Sequence, residues 1–248
     1  MVEQNCIVVT GASRGIGAAI AWRLASEGHY VACLSRSGRM PARADATPEI
    51  ISRWITVQAD VTDATSLRVA FEALIGRGLR ITGLVNNAGV YQEGPSAEVS
   101  ADHWREVMDT NAMSVLTACQ VAFPALLAAG GGLIVNIGSF FDKLGVKRNV
   151  AYCASKAAVG AITRCLAVEW AAKGIRVIDV APGYIQTDLN AKALNQGPLR
   201  AYLEKRIPAG SPGTADDVAS LVHSLFADGG RFLTGETIYV DGAQGIAH

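Results

Sequence analysis

The chain has 248 residues, half of them hydrophobic and 18% charged, which is ample material for one large buried core. Lysine plus arginine and aspartate plus glutamate balance at 22 each, so no global field draws the chain to nucleic acid or to an anionic membrane surface. The five cysteines (Cys6, Cys33, Cys119, Cys153 and Cys165) are scattered without a CxxC pair, which argues against a disulfide framework or a zinc site and for a reducing compartment.

The N-terminal Met-Val-Glu-Gln-Asn-Cys-Ile lacks the basic and long apolar regions of a signal peptide, and a cytoplasmic location is expected. Residues 7–10 form the first apolar strand and run into Thr10-Gly11-Ala12-Ser13-Arg14-Gly15-Ile16-Gly17, with a helical pattern over 16–27. A second strand is expected at 30–34. Gly38, Pro41 and Pro48 then leave any helix within 36–53 short or absent. Further strands at 54–58, 83–85, 133–137, 177–180 and 237–240 alternate with helices at about 64–76, 101–129, 150–172 and 215–227. The strands are continuous apolar runs, as a parallel sheet covered on both faces requires. This pattern predicts an α/β fold: a single domain with a doubly wound, parallel, seven-stranded sheet and helices on both faces.

Two stretches stand apart. Residues 110–141 carry no charge, but Asn111, Gln120, Pro124 and the three glycines 130–132 interrupt them, so a core helix followed by a core strand is expected rather than a membrane span. Residues 188–212 follow a Pro-Gly turn after a strand's carboxyl end, where a substrate lid would sit.

A glycine-rich turn between a first strand and a first helix brings backbone N–H groups and the helix N-terminus against a pyrophosphate. Its Gly-x-x-x-Gly-x-Gly spacing, followed in order by Asp60-Val61, Asn86-Asn87-Ala88-Gly89, Asn111, Ser139, Tyr152-x-x-x-Lys156 and Pro182-Gly183, resembles the short-chain dehydrogenase/reductase family over essentially the whole chain. The resemblance implies hydride transfer between a nicotinamide and a carbonyl or secondary alcohol carbon. A carbonyl oxygen that receives hydride must also receive a proton. Tyr152 is the expected donor. Lys156, one helical turn later, is expected to lower the phenol's pKa and, by the resemblance, to hold the nicotinamide ribose. Ser139, at a strand's carboxyl end, would hydrogen-bond the substrate oxygen, and Asn111 would hold a water that reloads the lysine.

The resemblance implies a cofactor site at Gly11, Ser13, Arg14, Gly15, Ile16, Gly17, Asp60, Val61, Asn87, Ala88, Gly89, Pro182, Gly183, Ile185 and Thr187, together with Tyr152 and Lys156. At the end of the second strand, Ser35 and Arg36 stand where an acidic residue would bind a ribose hydroxyl; with Arg14 they make a phosphate site, so NADP(H) is the expected cofactor. No catalytic metal is expected.

Within the family the wording is nearest to 3-oxoacyl-carrier-protein reductases, through the glycine loop, Ile207-Pro208-Ala209-Gly210 and the last strand. The end of the long central helix, Ala125-Leu126-Leu127-Ala128-Ala129-Gly130, lacks the cations that would steer an acidic carrier, Lys173 being the nearest. Glu169-Trp170 and Pro182-Gly183-Tyr184 are similar to polyol and secondary-alcohol dehydrogenases of the same family. A binding protein that senses NADP(H) without turnover would be expected to lose Ser139, Tyr152 or Lys156. Residues 112–129 offer no charged face, and the Ala157/Ala158/Ala161 side of the next helix is equally plain. Burial of both sides of the helix is therefore expected, and the resemblance implies a homo-oligomer, dimer or tetramer, that pairs these helices across a two-fold axis.

Overall fold

The computed structural model describes residues 4–187, 198–227 and 230–247. Seven parallel strands lie in the order β3-β2-β1-β4-β5-β6-β9: β1 Gln4–Thr10, β2 Tyr30–Ser35, β3 Trp54–Gln58, β4 Leu79–Asn86, β5 Gly132–Ile137, β6 Ile175–Pro182 and β9 Thr237–Val240. Successive residues of a strand point to opposite faces, and the core divides accordingly. Cys6 and Val8 of β1 join Ile81 and Leu84 of β4 under one helical layer, while Ile7 and Val9 join Val85 and Val135 under the other.

The first layer holds α3 (Ala64–Gly76), α5 (Ser114–Ala128) and α6 (Val150–Trp170), through Leu67, Phe71, Val115, Cys119, Val159 and Leu166. The second layer holds α1 (Gly15–Ser26) and α8 (Ala215–Phe226), through Ile20, Leu24, Val218 and Val222. Both faces of the sheet are thus sealed, as its uninterrupted apolar runs demand. The chain reverses its direction of travel across the sheet between β1 and β4, which opens a crevice at the carboxyl ends of those strands.

The structure refines several expectations. The helix expected over 101–129 is α4 (Ala101–Met108) and α5 joined by a π-helical turn, Asp109–Met113. The stretch Ala101–Ala128 is long and apolar enough to span a membrane by composition alone, yet here it packs on β4, α3 and α6. Between 36 and 53 one five-residue helix forms, α2 (Pro48–Ser52), with Pro48 at its first turn and Thr47 capping it. A second small sheet, β7 (Ile185–Gln186) with β8 (Gly213–Thr214), was not expected. Of the lid expected at 188–212, residues 188–197 lie outside the described residues; the remainder is α7 (Pro198–Arg206) and the turn into β8.

Candidate active site

Thr10 ends β1 with its hydroxyl accepting from the N–H groups of Asn87 at 3.0 Å and Ala88 at 3.1 Å, which fastens the glycine loop to the end of β4. The Asn87 amide closes the tie by donating to Thr10 O at 3.0 Å and Gly11 O at 3.2 Å. Gly11 has a φ of +64°, and a Cβ there would stand 2.9 Å from the Ala88 Cα. At Gly17 a Cβ would overlap Gly11 O and the Asn87 amide. Both positions need glycine because backbone packs directly on backbone. No side chain caps the N-terminus of α1, so its first N–H groups face the crevice.

The crevice measures about 970 Å³. Of the expected cofactor residues, Gly11, Ser13, Arg14, Gly15, Ile16, Gly17, Ser35, Arg36, Asp60, Val61, Asn87, Ala88, Gly89 and Thr187 line it. Tyr152, Lys156, Pro182, Gly183 and Ile185 do not. Gly183 packs where a Cβ would stand 2.8 Å from Asp241 Cα, and Ile185 is buried in the core. Sequence reasoning missed Arg39, which lines the crevice three residues after Arg36. Arg14, Arg36 and Arg39 are all exposed, and none makes an ion pair among the described residues. Asp60 Oδ1 accepts from the Thr62 N–H and hydroxyl at 2.9 and 2.7 Å; these bonds and the Arg36 charge hold its carboxyl below the ordinary range. A neighbouring cavity of about 630 Å³ shares Gly15, Ala42 and Thr187 with the crevice. Its wall is Arg43, which pairs with Asp45 at 2.8 Å and Asp216 at 2.7 Å and lies over the Trp22 ring.

The second part of the site lies at the carboxyl end of β5. Ser139 caps the short turn Phe140–Asp142 by accepting from the Phe141 N–H at 3.2 Å, and its hydroxyl lies near enough to the Tyr152 phenol to favour the phenolate. Lys156 is buried and donates from Nζ to Ile137 O at 2.7 Å. A Cβ on Gly89 would stand 3.9 Å from that Nζ, so the lysine borders the crevice through a glycine.

One expectation is corrected. Burial pushes the Tyr152 phenol up to about 12; the Ser139 hydrogen bond pulls the other way but does not outweigh it. Lys156 does not offset that burial, its Nζ being turned to Ile137 O and 5.8 Å from the ring centroid. The lysine itself is lowered to about 8 by burial, against the opposing pull of the Asp179 charge.

Asn111 sits in the π-helical turn, fully buried. Its amide is committed: Nδ2 donates to Val90 O at 2.9 Å and Ser155 Oγ at 3.1 Å, and Oδ1 accepts from the Val90 N–H at 2.8 Å. The side chain therefore ties the crevice wall to α6. Around Tyr152 the fold gathers aromatic rings that sequence reading did not foresee. Tyr91 and Phe141 stand edge-on to it at 5.1 and 6.0 Å, and Tyr184 meets Phe141 at 6.1 Å. Leu203 and Ile207, at the end of α7, pack against Tyr184.

Residues 11–243 match the family model described as enoyl-(acyl carrier protein) reductase. A 3β-hydroxysteroid dehydrogenase of Eggerthella lenta is 36% identical over 98% of this chain and 94% of its own. A 3-oxoacyl-(acyl-carrier-protein) reductase of Staphylococcus aureus is 34% identical over 98% of this chain and 99% of its own. Among solved structures, a chain from Agrobacterium tumefaciens with bound NADP, assigned as a 2-deoxy-D-gluconate 3-dehydrogenase, superposes with a TM-score of 0.84. It is 35% identical and covers 98% of this chain and 97% of its own.

Proposed function

The chain belongs to the short-chain dehydrogenase/reductase family, an oxidoreductase family acting on alcohol and carbonyl groups, and on that premise we propose an NADP(H)-dependent ketone reductase for substrates with an apolar flank. Fit to the cofactor rests on three features: the uncapped N-terminus of α1, the glycines at 11 and 17 where no side chain fits, and the guanidiniums of Arg14, Arg36 and Arg39 with the Ser35 hydroxyl. The backbone of residues 11–17 would hold the pyrophosphate and the arginines the 2′-phosphate. Asp60 and Val61 would flank the adenine, and Asn87, Ala88, Gly89 and Thr187 the remainder; when bound, the nicotinamide supplies hydride.

The protein's own chemistry follows from the convergence of Ser139, Tyr152 and Lys156 at the end of β5, the observation that carries this reading. Ser139 donates to the substrate oxygen and orients it beside Tyr152. Tyr152, held protonated by burial, gives its proton to that oxygen as negative charge develops there. Lys156 supplies the positive charge that limits the cost of the phenolate left behind. Asn111 acts as a positioning residue between Val90 and Ser155.

The rings of Tyr91, Phe141 and Tyr184, with Leu203 and Ile207 behind Tyr184, favour an acyl or other apolar chain over a polyol. A 3-oxoacyl thioester is the preferred substrate class. The sequence shows no cation at the end of the long central helix, but the fold brings Arg80 there, where it donates to Ala129 O. Its second tie, to Asn5 Oδ1 at 3.2 Å, leaves it poorly placed to dock an acidic carrier, so a free thioester fits better than a carrier-bound one. Two further readings accompany this one. The exposed, charge-free line of Met113, Pro124 and Leu127 on the long helix, and the exposed Ala157, Ala161 and Val168 on α6, support a homo-oligomer sharing these helices. Buried, unreactive thiols at Cys6, Cys33 and Cys119 suit a reducing cytoplasm.

The test is NADPH oxidation against acetoacetyl thioesters, steroid ketones and keto sugars, with Tyr152→Phe as the control. We expect thioester or steroid turnover, reduced at least about 10²-fold by Tyr152→Phe. Full activity in a folded Tyr152→Phe protein would refute the mechanism, and turnover confined to keto sugars would refute the substrate class.

A further inference from the structure

Behind Ser139 and Lys156 lies a carboxylate that the roles above leave unused. Asp179 is in the middle of β6, fully buried between the apolar Ile178 and Val180. Thr237 on β9 donates to its Oδ2 at 3.2 Å, while Oδ1 has no hydrogen-bond donor of its own. The carboxylate rests against Gly138. A Cβ there would stand 2.8 Å from Oδ2 and closer still to Oδ1, so only glycine fits beside it. The Gly138 N–H donates to Val180 O at 2.8 Å and also favours the ionised carboxylate by its proximity. The carbonyl of the same peptide link belongs to Ile137, and it accepts from Lys156 Nζ at 2.7 Å. One peptide link therefore stands between a buried cation and a buried anion, its carbonyl bonded to the first and its glycine Cα packed against the second.

Neither Lys156 nor Asp179 makes a direct ion pair among the described residues, and an isolated charge so deeply buried is strongly disfavoured. We propose that Asp179 is a positioning residue for the reaction, its charge, acting through space across the peptide joining Ile137 and Gly138, keeping Lys156 an ammonium at neutral pH. The surroundings are consistent with this pairing. Asp179 is faced by Thr237 and, at longer range, Tyr239 on β9, by Asp142 beyond Ser139, and by Arg164 across Gly160. Lys156 is faced by Tyr152 on its own helix and by Asn111 across Gly89. Burial holds the Asp179 carboxyl up at about 6 while the Lys156 charge pulls it down, and each group thus favours the charged form of the other.

The functional consequence rests on the reading of Lys156 given above; the coupling itself can be read without turnover. The chain has six lysines, so isotopic labelling of lysine Cε allows the Lys156 ammonium to be titrated by NMR in the full-length protein. Asp179→Asn is expected to lower that midpoint by about one pH unit or more, a tenfold loss of proton affinity. The alkaline limb of the kcat/KM profile should move down by a similar amount. Thr237→Val, which removes the hydrogen bond to Oδ2, should move the midpoint the same way by less. An unchanged Lys156 midpoint in folded Asp179→Asn, or in Thr237→Val should the first variant not fold, overturns the proposal. If Lys156→Ala keeps full turnover, the functional reading fails, whereas the midpoint shift on Asp179→Asn would still stand.

Discussion

Lys156→Met is the perturbation whose effect the structure sizes most directly. Methionine is close in length to lysine and is apolar, so it fills the same channel between α6 and β5 without a charge. Burial lowers the lysine from 10.5 to about 8, and at about 1.4 kcal/mol per pH unit the folded protein carries a penalty of about 3 kcal/mol for the charged side chain. The sign follows from proton counting. Between pH 8 and 10.5 the unfolded chain keeps the lysine proton while the folded one releases it, so stability rises with pH across that window; below pH 8 the penalty is present in full. Urea unfolding of wild type and Lys156→Met at pH 7, 9 and 10.5 reads the effect, because titrating groups that do not sense Lys156 cancel in the difference. The wild type should gain about 3 kcal/mol on the variant between the two ends of the series. The bond to Ile137 O sets only the constant offset, since a neutral amine still donates. Asp179, deprived of its ammonium in the variant, titrates at higher pH and adds to the trend in the same direction. A difference that stays flat from pH 7 to 10.5, or that falls, would show that Lys156 is not held charged in an apolar setting.

Cofactor choice should follow the guanidiniums: Arg36→Asp with Arg14→Ala should weaken NADPH binding at least about tenfold and leave NADH within about twofold, as fluorescence titration would show, and equal losses for both cofactors would refute phosphate reading. The shared-helix assembly predicts a scattering mass that is a multiple of 26.0 kDa at micromolar concentration, with Val168→Glu shifting it toward the monomer; a wild-type monomer would refute it.

Much of this architecture was legible because burial on both faces of a parallel sheet leaves a mark at every strand. The runs at 133–137 and 177–180 need no alternation, and the strands formed where the apolar runs lie. The two-residue strands β7 and β8 left no such mark, since pairing of Ile185 with Gly213 is set by the path of the chain rather than by a hydropathic period. The π-helical turn at Asp109–Met113 was equally silent; one extra residue per turn does not alter which positions are apolar. Arg39 could have been found from its loop, where Arg36 and Arg39 flank Ser37-Gly38 directly after β2. Asp179 also had a signal, a carboxylate inside Val-Ile-Asp-Val, where a strand buried on both faces tolerates charge only with a partner. The Tyr152–Lys156 spacing gave the shared helix face correctly but not the direction of the lysine, which reaches back to β5.

That direction bears on which way the reaction is set to run. At neutral pH, burial leaves Tyr152 a neutral phenol and Lys156 still largely an ammonium. On the proposed mechanism a neutral phenol near the Ser139 hydroxyl is the acid that carbonyl reduction needs. Alcohol oxidation needs the phenolate, and with the phenol at about 12 that form is about five pH units away at pH 7. The charge that would close this gap is Lys156, and it is engaged with Ile137 O, 5.8 Å from the ring centroid. For oxidation the ammonium must loosen that bond and swing toward the phenol, a movement within reach of a flexible four-carbon stem. Reduction on the same reading needs no such step before the proton leaves Tyr152. On the proposed mechanism this arrangement suits reduction at neutral pH, with oxidation gaining as pH rises until Lys156 loses its proton near 8.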